Sequence, residues 1–434
     1  MKISPARAAA FDVLCRIETE NAFSSALLPV FEETLAANDR GLCHEITLGV
    51  LRRKLFLDRL IDDLSKGRKL DAEVRIALQI GLFQMIFLDR IPPHSAINES
   101  VELVARAKKI SAKSFVNALL RSYQRNAVEP TFEDEIDKIS ISTSHPRWLV
   151  ERWINQFGFG EASALCEANN CPPALSFRLV GSDRERQETL ADLASLDGLR
   201  PSKLVEGCFA VEKMSEKLAS LSDRNRIYFQ DEGSQFVANA VVAEGGSRIL
   251  DVCAAPGGKT TMIASSGDKN VVAGDIHFSR AQRLRETCGK HWMAGVSVVQ
   301  YDAENMIPFE PSSFDTVFVD APCSGTGTIR HNPEIRYSTE PDDIHQLSSK
   351  QLRILKNASE LVKPGGRLIY STCSLESEEN EAVCDRFLRE PLGFELTVPK
   401  VPPRFLTSAG FARTFPHRDD LDGFFIAVFR LNNA

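Results

Sequence analysis

The chain has 434 residues, of which 43% are hydrophobic and 26% are charged, and its formal net charge is −7. That length is enough for two or three domains, and no apolar run approaches the ~20 residues of a membrane span. The ten cysteines form no C-x-x-C pair and the N-terminus does not resemble a signal peptide, which argues against a disulfide framework and a zinc site. We therefore expect a cytoplasmic protein with no membrane association and no metal.

The first 126 residues show helical patterns and a basic charge balance. Apolar residues have helical spacing over residues 6–17, 42–64, 74–88, 96–108 and 114–125. Ser95 is placed to cap the fourth pattern, and the third is apolar on every side, which is typical of a buried central helix. The net charge is +4 here and −11 in the remainder. A basic helical unit of this kind suits docking on RNA, although such side chains often face only solvent.

The basic residues of this region form three clusters. They are Arg52, Arg53 and Lys54; then Lys66, Arg68 and Lys69; and finally Arg106, Lys108, Lys109 and Lys113.

Residues 127–139 read as an acidic linker to a second region at 140–225. Strand-like alternation at 175–179 and 209–211, with a helical pattern at 184–196, predicts a small α+β domain there. Its residues say little about chemistry.

Strands alternate with helices from residue 226 to residue 434, which predicts a parallel sheet. The strand ends fall near Cys253, Asp275, Asp302, Asp320 and Ser371. Ligands of such sheets bind outside the carboxyl ends of the strands. We therefore expect the functional site at this edge.

The first strand of this sheet leads into the turn Asp251-Val252-Cys253-Ala254-Ala255-Pro256-Gly257-Gly258-Lys259-Thr260. A strand, a glycine-rich turn and a helix are typical of the first crossover of a nucleotide-binding sheet. The Pro-Gly-Gly-Lys pattern differs from G-x-G-x-x-G, which argues against an NAD-dependent oxidoreductase. An ordinary tight turn is the alternative.

Acidic residues end the second and third strands. Asp275 is placed to accept both ribose hydroxyls of an adenosine cofactor, and Asp302 is placed for an adenine amino group. Each could instead cap a helix.

Two cysteines follow neighbouring strand ends, Cys323 in a glycine-rich loop after Asp320 and Cys373 after Ser371. A thiolate that attacks carbon 6 of cytosine makes carbon 5 nucleophilic, and an acid at ring nitrogen 3, here Asp320, assists that step. The residues alone do not decide which cysteine attacks. A single cysteine of this kind is more often inert packing.

Two sets of motifs resemble known families. Residues 38–40, 49–53, 90–99 and 115–121 resemble the NusB-like RNA-binding domain, in the version fused to bacterial ribosomal RNA methyltransferases. Residues 251–260, 320–327 and 371–374, together with 229–232 and 422–427, resemble the RNA 5-methylcytosine methyltransferases. Together they narrow the resemblance to the bacterial 16S ribosomal RNA cytosine-5 methyltransferases of the Sun/Fmu (RsmB) type.

The resemblance implies a fold and a reaction. The fold is an α/β, Rossmann-like S-adenosylmethionine-dependent methyltransferase domain (226–434), preceded by a small α+β domain (140–225) and an all-α NusB-like domain (1–126). The substrate is 16S ribosomal RNA, naked or in early assembly. Methylation of tRNA or 23S ribosomal RNA, or a non-catalytic assembly or antitermination factor, are the alternatives. Leu179-Val180 departs from the family pattern, which commonly has asparagine here, so the RNA contacts of the middle domain stay open.

The resemblance also assigns residues. Cys373 is the nucleophile and Cys323 assists release of the product. The S-adenosylmethionine site comprises Cys253, Ala254, Ala255, Pro256, Gly257, Gly258, Lys259, Asp275, Asp302 and Asp320. Lys259 has two alternative roles, since it could face the target base or cap the turn.

Overall fold

The structure, a computed structural model, describes residues 3–20, 22–291 and 295–433. The chain divides into two compact units, one formed by Met1–Cys171 and Ile329–Ser338 and the other by Pro172–Thr328 and Thr339–Ala434. Within the described residues, no helix has both the length and the apolar character needed to span a bilayer.

The described part of the first unit is helical. Its elements are α1 (Pro5–Glu20), α2 (Ser24–Glu32), α3 (Ala37–Arg52), α4 (Lys54–Ser65), α5 (Ala72–Phe87), α6 (Pro93–Arg106), α7 (Lys113–Arg125), α8 (Glu135–Thr143), α9 (Arg147–Phe157) and α10 (Phe159–Ala168). Helix α5 buries ten of its 16 residues, which confirms the central helix predicted over 74–88.

Two predictions about these helices are wrong. The pattern over 42–64 forms two helices, because Arg53 leaves helical geometry (φ −116°, ψ 15°) between α3 and α4. Ser95 does not cap α6, since that helix already begins at Pro93, where the fixed φ of proline suits the first turn.

The acidic stretch 127–139 is not irregular throughout. Helix α8 begins at Glu135, and the carboxylate of Asp134 caps it by accepting a hydrogen bond from the backbone of Asp137. The predicted domain boundaries stay predictions, and the compact units differ from them in placing α8, α9 and α10 with the first unit.

A small sheet opens the second unit. Its strands are β1 (Leu175–Leu179), β2 (Arg200–Pro201), β3 (Cys208–Val211) and β4 (Ile227–Phe229), and α11 (Asp183–Leu193) and α12 (Glu216–Asp223) lie between them in the chain. The antiparallel order is β2-β3-β1-β4, which confirms the predicted strands at 175–179 and 209–211. Strand β4 belongs to this sheet, so the prediction that the parallel sheet starts with these residues is wrong.

The rest of the second unit alternates helices and strands. The elements are α13 (Glu232–Glu244), β5 (Arg248–Asp251), α14 (Gly258–Ala264), β6 (Asn270–Asp275), α15 (Phe278–Lys290), β7 (Val296–Gln300), β8 (Phe314–Asp320), α17 (Pro341–Ser359), β9 (Val362–Thr372), α18 (Glu381–Leu388), β10 (Phe394–Thr397), β11 (Ala412–Arg413), α19 (Pro416–Asp419) and β12 (Phe425–Leu431). Helix α16 (Ile335–Ser338) lies between β8 and α17 in the chain but belongs to the first unit.

These strands form one sheet in the order β10-β12-β9-β8-β5-β6-β7, with β11 paired to β12. Strands β5 to β9 are parallel, as predicted. The prediction of a wholly parallel sheet is wrong, since β12 runs antiparallel beside β9 and β10 antiparallel beside β12. The apolar run of β12 is buried from Phe425 to Phe429, and this burial holds the added strand against the sheet.

The segment Ile329–Ser338 packs within the first unit, although it follows the loop after β8 in the chain. Arg336 is fully buried, and its guanidinium donates to the carbonyl of Thr143 and to the Asn170 side chain, each at 3.0 Å. The Tyr337 hydroxyl donates to the carbonyl of Leu51 at 2.8 Å. The sequence pattern did not predict that this segment packs within the first unit.

Candidate active site

The carboxyl ends of the five parallel strands meet at one edge of the sheet. Strands β5, β6, β8 and β9 end at Asp251, Asp275, Asp320 and Thr372. Because parallel strands share one direction, the residues that follow these ends converge on that edge. The predicted acids and cysteines are therefore brought to the same place.

The glycine-rich turn connects β5 to α14 and contains a cis peptide bond between Ala255 and Pro256. Gly257 has φ +106°, and a Cβ atom there would lie 2.8 Å from Leu284 Cδ1. The backbone angle therefore favours glycine, and a Cβ would in addition displace the end of the Leu284 side chain. A Cβ on the next residue, Gly258, would come 3.3 Å from Gln230 Cδ.

Asp251 fastens the start of this turn to its helix. Its Oδ2 accepts a hydrogen bond from the Thr260 hydroxyl at 2.7 Å. Asp251 is completely buried, and burial raises the pKa of its carboxyl to about 7, against the opposing hydrogen bond from Thr260 and with a contribution from the negative charge of Asp320.

A cavity of about 370 Å³ lies beside the turn at the strand ends. Seven of the predicted residues line it: Cys253, Ala255, Asp275, Asp302, Asp320, Cys323 and Cys373. Ala254, Pro256, Gly257, Gly258 and Lys259 belong to the turn and its helix but are not among the residues that line this cavity. The structure thus brings most of the predicted set to one pocket.

Asp275 and Asp302 have different environments. Asp275 is 4% exposed, accepts a hydrogen bond from the backbone of His277 at 3.1 Å, and lies 3.2 Å from the guanidinium of Arg280. Arg280 also donates to the carbonyl of Ala255, so it joins the second strand end to the turn. Asp302 accepts from the backbone of Glu304 and from the side chain of Asn305 in a turn at residues 303–305 that does not continue into a helix, so the alternative that Asp302 caps a helix is wrong.

Asp320 lies between two donors. Its Oδ1 accepts from the hydroxyl of Ser371 and its Oδ2 from Lys259 Nζ, both at 2.7 Å. The Lys259 ammonium also lies 5.1 Å from the ring centroid of Phe424. Burial, the largest single influence, lowers the pKa of Lys259, but the charge and hydrogen bond of Asp320 together with the other negative groups nearby outweigh burial and raise the pKa. Lys259 is therefore a fixed cation beside the strand-end acid.

The two cysteines face each other, since Cys323 Sγ lies 3.4 Å from Cys373 Sγ. The pKa of the Cys323 thiol is raised well above its ordinary value, first by the hydrogen bond to Cys373 and then by burial. Cys323 is thus a neutral thiol, and either sulfur of the pair can donate the S–H hydrogen bond. Two loops 50 residues apart in the chain form a single pair of sulfurs at the cavity wall.

Arg178, on β1 of the small sheet, was not identified from the sequence. It is 5% exposed, and its guanidinium donates to Gln230 Oε1 at 3.0 Å and to the Thr261 hydroxyl at 2.7 Å. The Thr261 hydroxyl in turn donates to the carbonyl of Gly257 at 2.8 Å. The small sheet therefore supports the glycine-rich turn. The available signal was a charged residue inside an apolar strand, between Phe177 and Leu179.

Glu379 was also missed, although it accepts hydrogen bonds from residues beside both cysteines. It lies in a run of acidic residues from Glu376 to Glu381, where the sequence offers no mark that separates one carboxylate from another.

Many of the basic residues predicted to contact RNA are engaged within the first unit. Arg52 is buried and donates to the carbonyl of Arg330, and Lys54 pairs with Glu18 at 2.6 Å. In the third cluster the ion pairs are Arg106 with Asp12, Lys109 with Asp71, and Lys113 with Glu102. Exposed pairs of this kind are worth about 0–1 kcal/mol, so phosphate groups can compete for these cations. RNA contact by these clusters stays a prediction.

Three family models match separate parts of the chain. Residues 4–125 match the NusB family, residues 145–213 match the ferredoxin-like domain of RsmF/B-like methyltransferases, and residues 239–430 match the 16S rRNA methyltransferase RsmB/F family.

Relatives match nearly the whole chain. It is 34% identical to the probable ribosomal RNA small subunit methyltransferase B of Bacillus subtilis (strain 168), with 99% of each chain covered. It is 32% identical to ribosomal RNA small subunit methyltransferase B of Pseudomonas putida, with 97% of each covered. Among solved structures, the crystal structure of PH0851 aligns with a TM-score of 0.81 and 26% identity over 99% of both chains.

The sheet, its glycine-rich turn and these matches define the class as S-adenosylmethionine-dependent ribosomal RNA methyltransferases. The NusB-like and ferredoxin-like parts confirm the predicted accessory folds. Within that class, the chain belongs to the ribosomal RNA small subunit methyltransferase B family.

Proposed function

We propose that this protein methylates carbon 5 of one cytosine in 16S ribosomal RNA through a covalent bond between Cys373 and carbon 6 of the base. The observation that carries the proposal is the pair of sulfurs, 3.4 Å apart, in the wall of a cavity that also contains Asp320. Thiolate, acid and cofactor pocket are the groups that cytosine C5 methylation requires together.

The residues at the strand ends fit S-adenosylmethionine. A cavity of about 370 Å³ is within the usual range for small-molecule sites. Asp275 supplies carboxylate acceptors for the two ribose hydroxyls, and Asp302 lies in the same wall for the adenine end. Gly257 and Gly258 lie in the adjacent turn, where the absence of their side chains makes room for Leu284 and Gln230. When bound, the cofactor supplies the electrophilic methyl group.

The chain's own residues then account for the remaining steps. Cys373 attacks carbon 6 as the thiolate, and nitrogen 3 takes a proton from the Asp320–Lys259 pair, in which the Lys259 ammonium supplies the proton to Asp320 across 2.7 Å and Asp320 passes it to the base. The resulting enamine would bond its carbon 5 to the methyl group as the bond from that methyl to the donor sulfur breaks, which leaves a neutral thioether. Loss of the carbon-5 proton and elimination of the sulfur restore the aromatic ring and free Cys373.

Cys323 is suited to the last of these steps. Its pKa is raised first by the hydrogen bond to Cys373, and that sulfur no longer carries a negative charge once it is bonded to carbon 6. The Cys323 thiol then loses its proton to solvent more readily, and the resulting thiolate can take up the carbon-5 proton, which leads to release of Cys373. We assign it the release role on this ground.

The target base must leave its stack to reach sulfur and methyl donor together. We therefore propose that the modified cytosine lies in single-stranded or loop RNA, because bases are accessible there.

Bisulfite sequencing of ribosomal and transfer RNA from cells with and without the gene tests the reaction and the substrate together. Loss of protection at one 16S cytosine is the expected result. Loss of protection at a tRNA or 23S cytosine would support the proposed reaction but show that 16S ribosomal RNA is not the substrate. Unchanged protection at every position would overturn the reaction and favour a non-catalytic RNA-binding factor.

A further inference from the structure

Glu379 is a buried carboxylate outside the cavity wall. It is 0% exposed and lies six residues after Cys373, just before α18. Burial raises the pKa of Glu379, against the opposing hydrogen bonds of its neighbours. A carboxylate is costly in such a place unless its oxygens are fully used.

Both oxygens of Glu379 are used, and by two different loops. Oε1 accepts from the backbone N–H of Ser324 at 2.8 Å and from Gln351 Nε2 at 2.9 Å. Oε2 accepts from the hydroxyls of Ser324 and Ser374, each at 2.5 Å. Ser324 follows Cys323 and Ser374 follows Cys373. One side chain therefore holds the residue next to each sulfur.

The carboxylate is itself fixed to regular structure. The Tyr370 hydroxyl on β9 donates to the backbone carbonyl of Glu379 at 2.6 Å. The Gln351 amide on α17 donates to the carbonyl of Pro322 at 2.9 Å as well as to Glu379. Because these anchors lie on a strand and a helix, they fix the positions of the two loops.

We propose that Glu379 is a positioning residue that joins the Cys323 and Cys373 loops and so sets the distance between the two sulfurs. This inference rests on the proposed function, because it explains how nucleophile and release group stay adjacent through one catalytic cycle. Reacting groups displaced by about 1 Å commonly lose on the order of a hundredfold in rate.

The hydrogen-bond pattern separates a role in geometry from a role in charge. A glutamine at this position can place its amide oxygen where Oε1 accepts, and its amide nitrogen where Oε2 lies. The nitrogen then donates to both serine hydroxyls, which can accept. Glu379→Gln therefore keeps all four contacts without the charge, whereas Glu379→Ala removes all four.

The first test is the steady-state methylation of a 16S ribosomal RNA transcript by the full chain. We expect Glu379→Ala to lower kcat about a hundredfold, equivalent to about 2.7 kcal/mol, with the KM for S-adenosylmethionine within about twofold. Glu379→Gln should stay within about fivefold of the wild type. A wild-type kcat in Glu379→Ala would overturn the proposal. Equal losses in both variants would overturn it too, by pointing to the charge.

A second variant keeps the test valid if Glu379→Ala does not fold. The double variant Ser324→Ala/Ser374→Ala removes the two hydroxyl contacts and leaves the carboxylate in place. We expect kcat to fall at least tenfold with cofactor binding retained. The control is Ser377→Ala, which breaks a serine–glutamate contact to Glu378 in the same loop and should leave kcat unchanged. Wild-type kcat in the double variant would contradict the proposal.

A readout independent of methylation separates this inference from the proposed function. Dibromobimane bridges two adjacent thiols, and peptide mapping identifies which cysteines it joins. The wild type and Glu379→Gln should both give the Cys323–Cys373 bridge, and Glu379→Ala should give little of it. Should the wild type make no 5-methylcytosine, the proposed function would fail while this measurement still decides the role of Glu379.

Discussion

The two halves of the candidate site are built in different ways. The cofactor half consists of a turn and of acids that directly follow strand ends, so backbone geometry places Gly257 and Asp275. The cysteine half depends on buried side chains that join separate loops, above all Glu379. Groups of the first kind are recognisable from strand patterns. The supports of the second kind are not, because any polar residue of a loop can provide them.

This difference predicts which substitutions affect chemistry and which affect cofactor binding. Changes in the cysteine half should lower kcat, and changes in the cofactor half should raise the KM for S-adenosylmethionine.

The largest effect should come from the nucleophile. Cys373→Ser should lower kcat at least about a thousandfold, because a neutral hydroxyl is a far weaker nucleophile than a thiolate, while cofactor affinity measured by calorimetry stays near that of the wild type. Cys171→Ser, at an exposed cysteine, is the control and should retain full activity. Substantial methylation by Cys373→Ser would show that Cys373 is not the nucleophile.

A smaller effect should follow in the cofactor half. Asp275→Asn should raise the KM for S-adenosylmethionine about tenfold or more, since hydrogen bonds to a charged group contribute about 1.5–3 kcal/mol, with kcat nearly unchanged. Asp268, exposed in the loop before the same strand, gives the matched control Asp268→Asn. If Asp275→Asn lowered only kcat, the conclusion that the cofactor half acts through the KM for S-adenosylmethionine would be wrong.

Arg178 supports the glycine-rich turn and is therefore a side-chain support within the cofactor half. Arg178→Lys keeps the charge but cannot reproduce the two directed contacts to Gln230 and Thr261. We expect a severalfold rise in the KM for S-adenosylmethionine with kcat within about threefold. Arg184→Lys, at an arginine whose side chain is 88% exposed, should change neither constant. An unchanged KM for S-adenosylmethionine in Arg178→Lys would show that Arg178 is not needed to hold the glycine-rich turn for cofactor binding.

The smallest expected effect concerns stability and pH. Asp251 has a pKa of about 7 in the folded chain, above that of an aspartate in water. A raised pKa gives stability that is complete below the unfolded value and is lost as the pH rises through the folded value. Between pH 6 and pH 8 this loss is about 1.4 kcal/mol. Denaturant titrations at pH 6 and pH 8 should show that Asp251→Asn loses less free energy of unfolding over this range than the wild type. Equal losses in the two proteins would contradict the raised pKa of Asp251.

Much of the fold followed from local patterns. The central helix α5 and strand β1 were predicted because continuous apolar runs and strict alternation are strong signals. The antiparallel strand β12 and the segment Ile329–Ser338 were not, because their partners lie far away in the chain. Patterns within a window cannot specify which distant element covers an apolar surface.

The site shows the same limit. The structure brings Cys323 and Cys373 together as their strand ends predict, since strands β8 and β9 are adjacent and parallel. The ion pair of Lys259 with Asp320 and the contacts of Arg178 join residues 61 and 83 positions apart. Only the folded chain reveals these partners.

Isolation of the covalent intermediate from Cys323→Ala tests whether Cys373 is the nucleophile. The variant is incubated with 16S ribosomal RNA and S-adenosylmethionine, digested with nuclease and protease, and analysed by mass spectrometry. We predict a methylated cytidine attached to the peptide that contains Cys373, because release is blocked after methyl transfer. A nucleotide attached to any other cysteine, or free product formed at the wild-type rate with no adduct, would contradict the account.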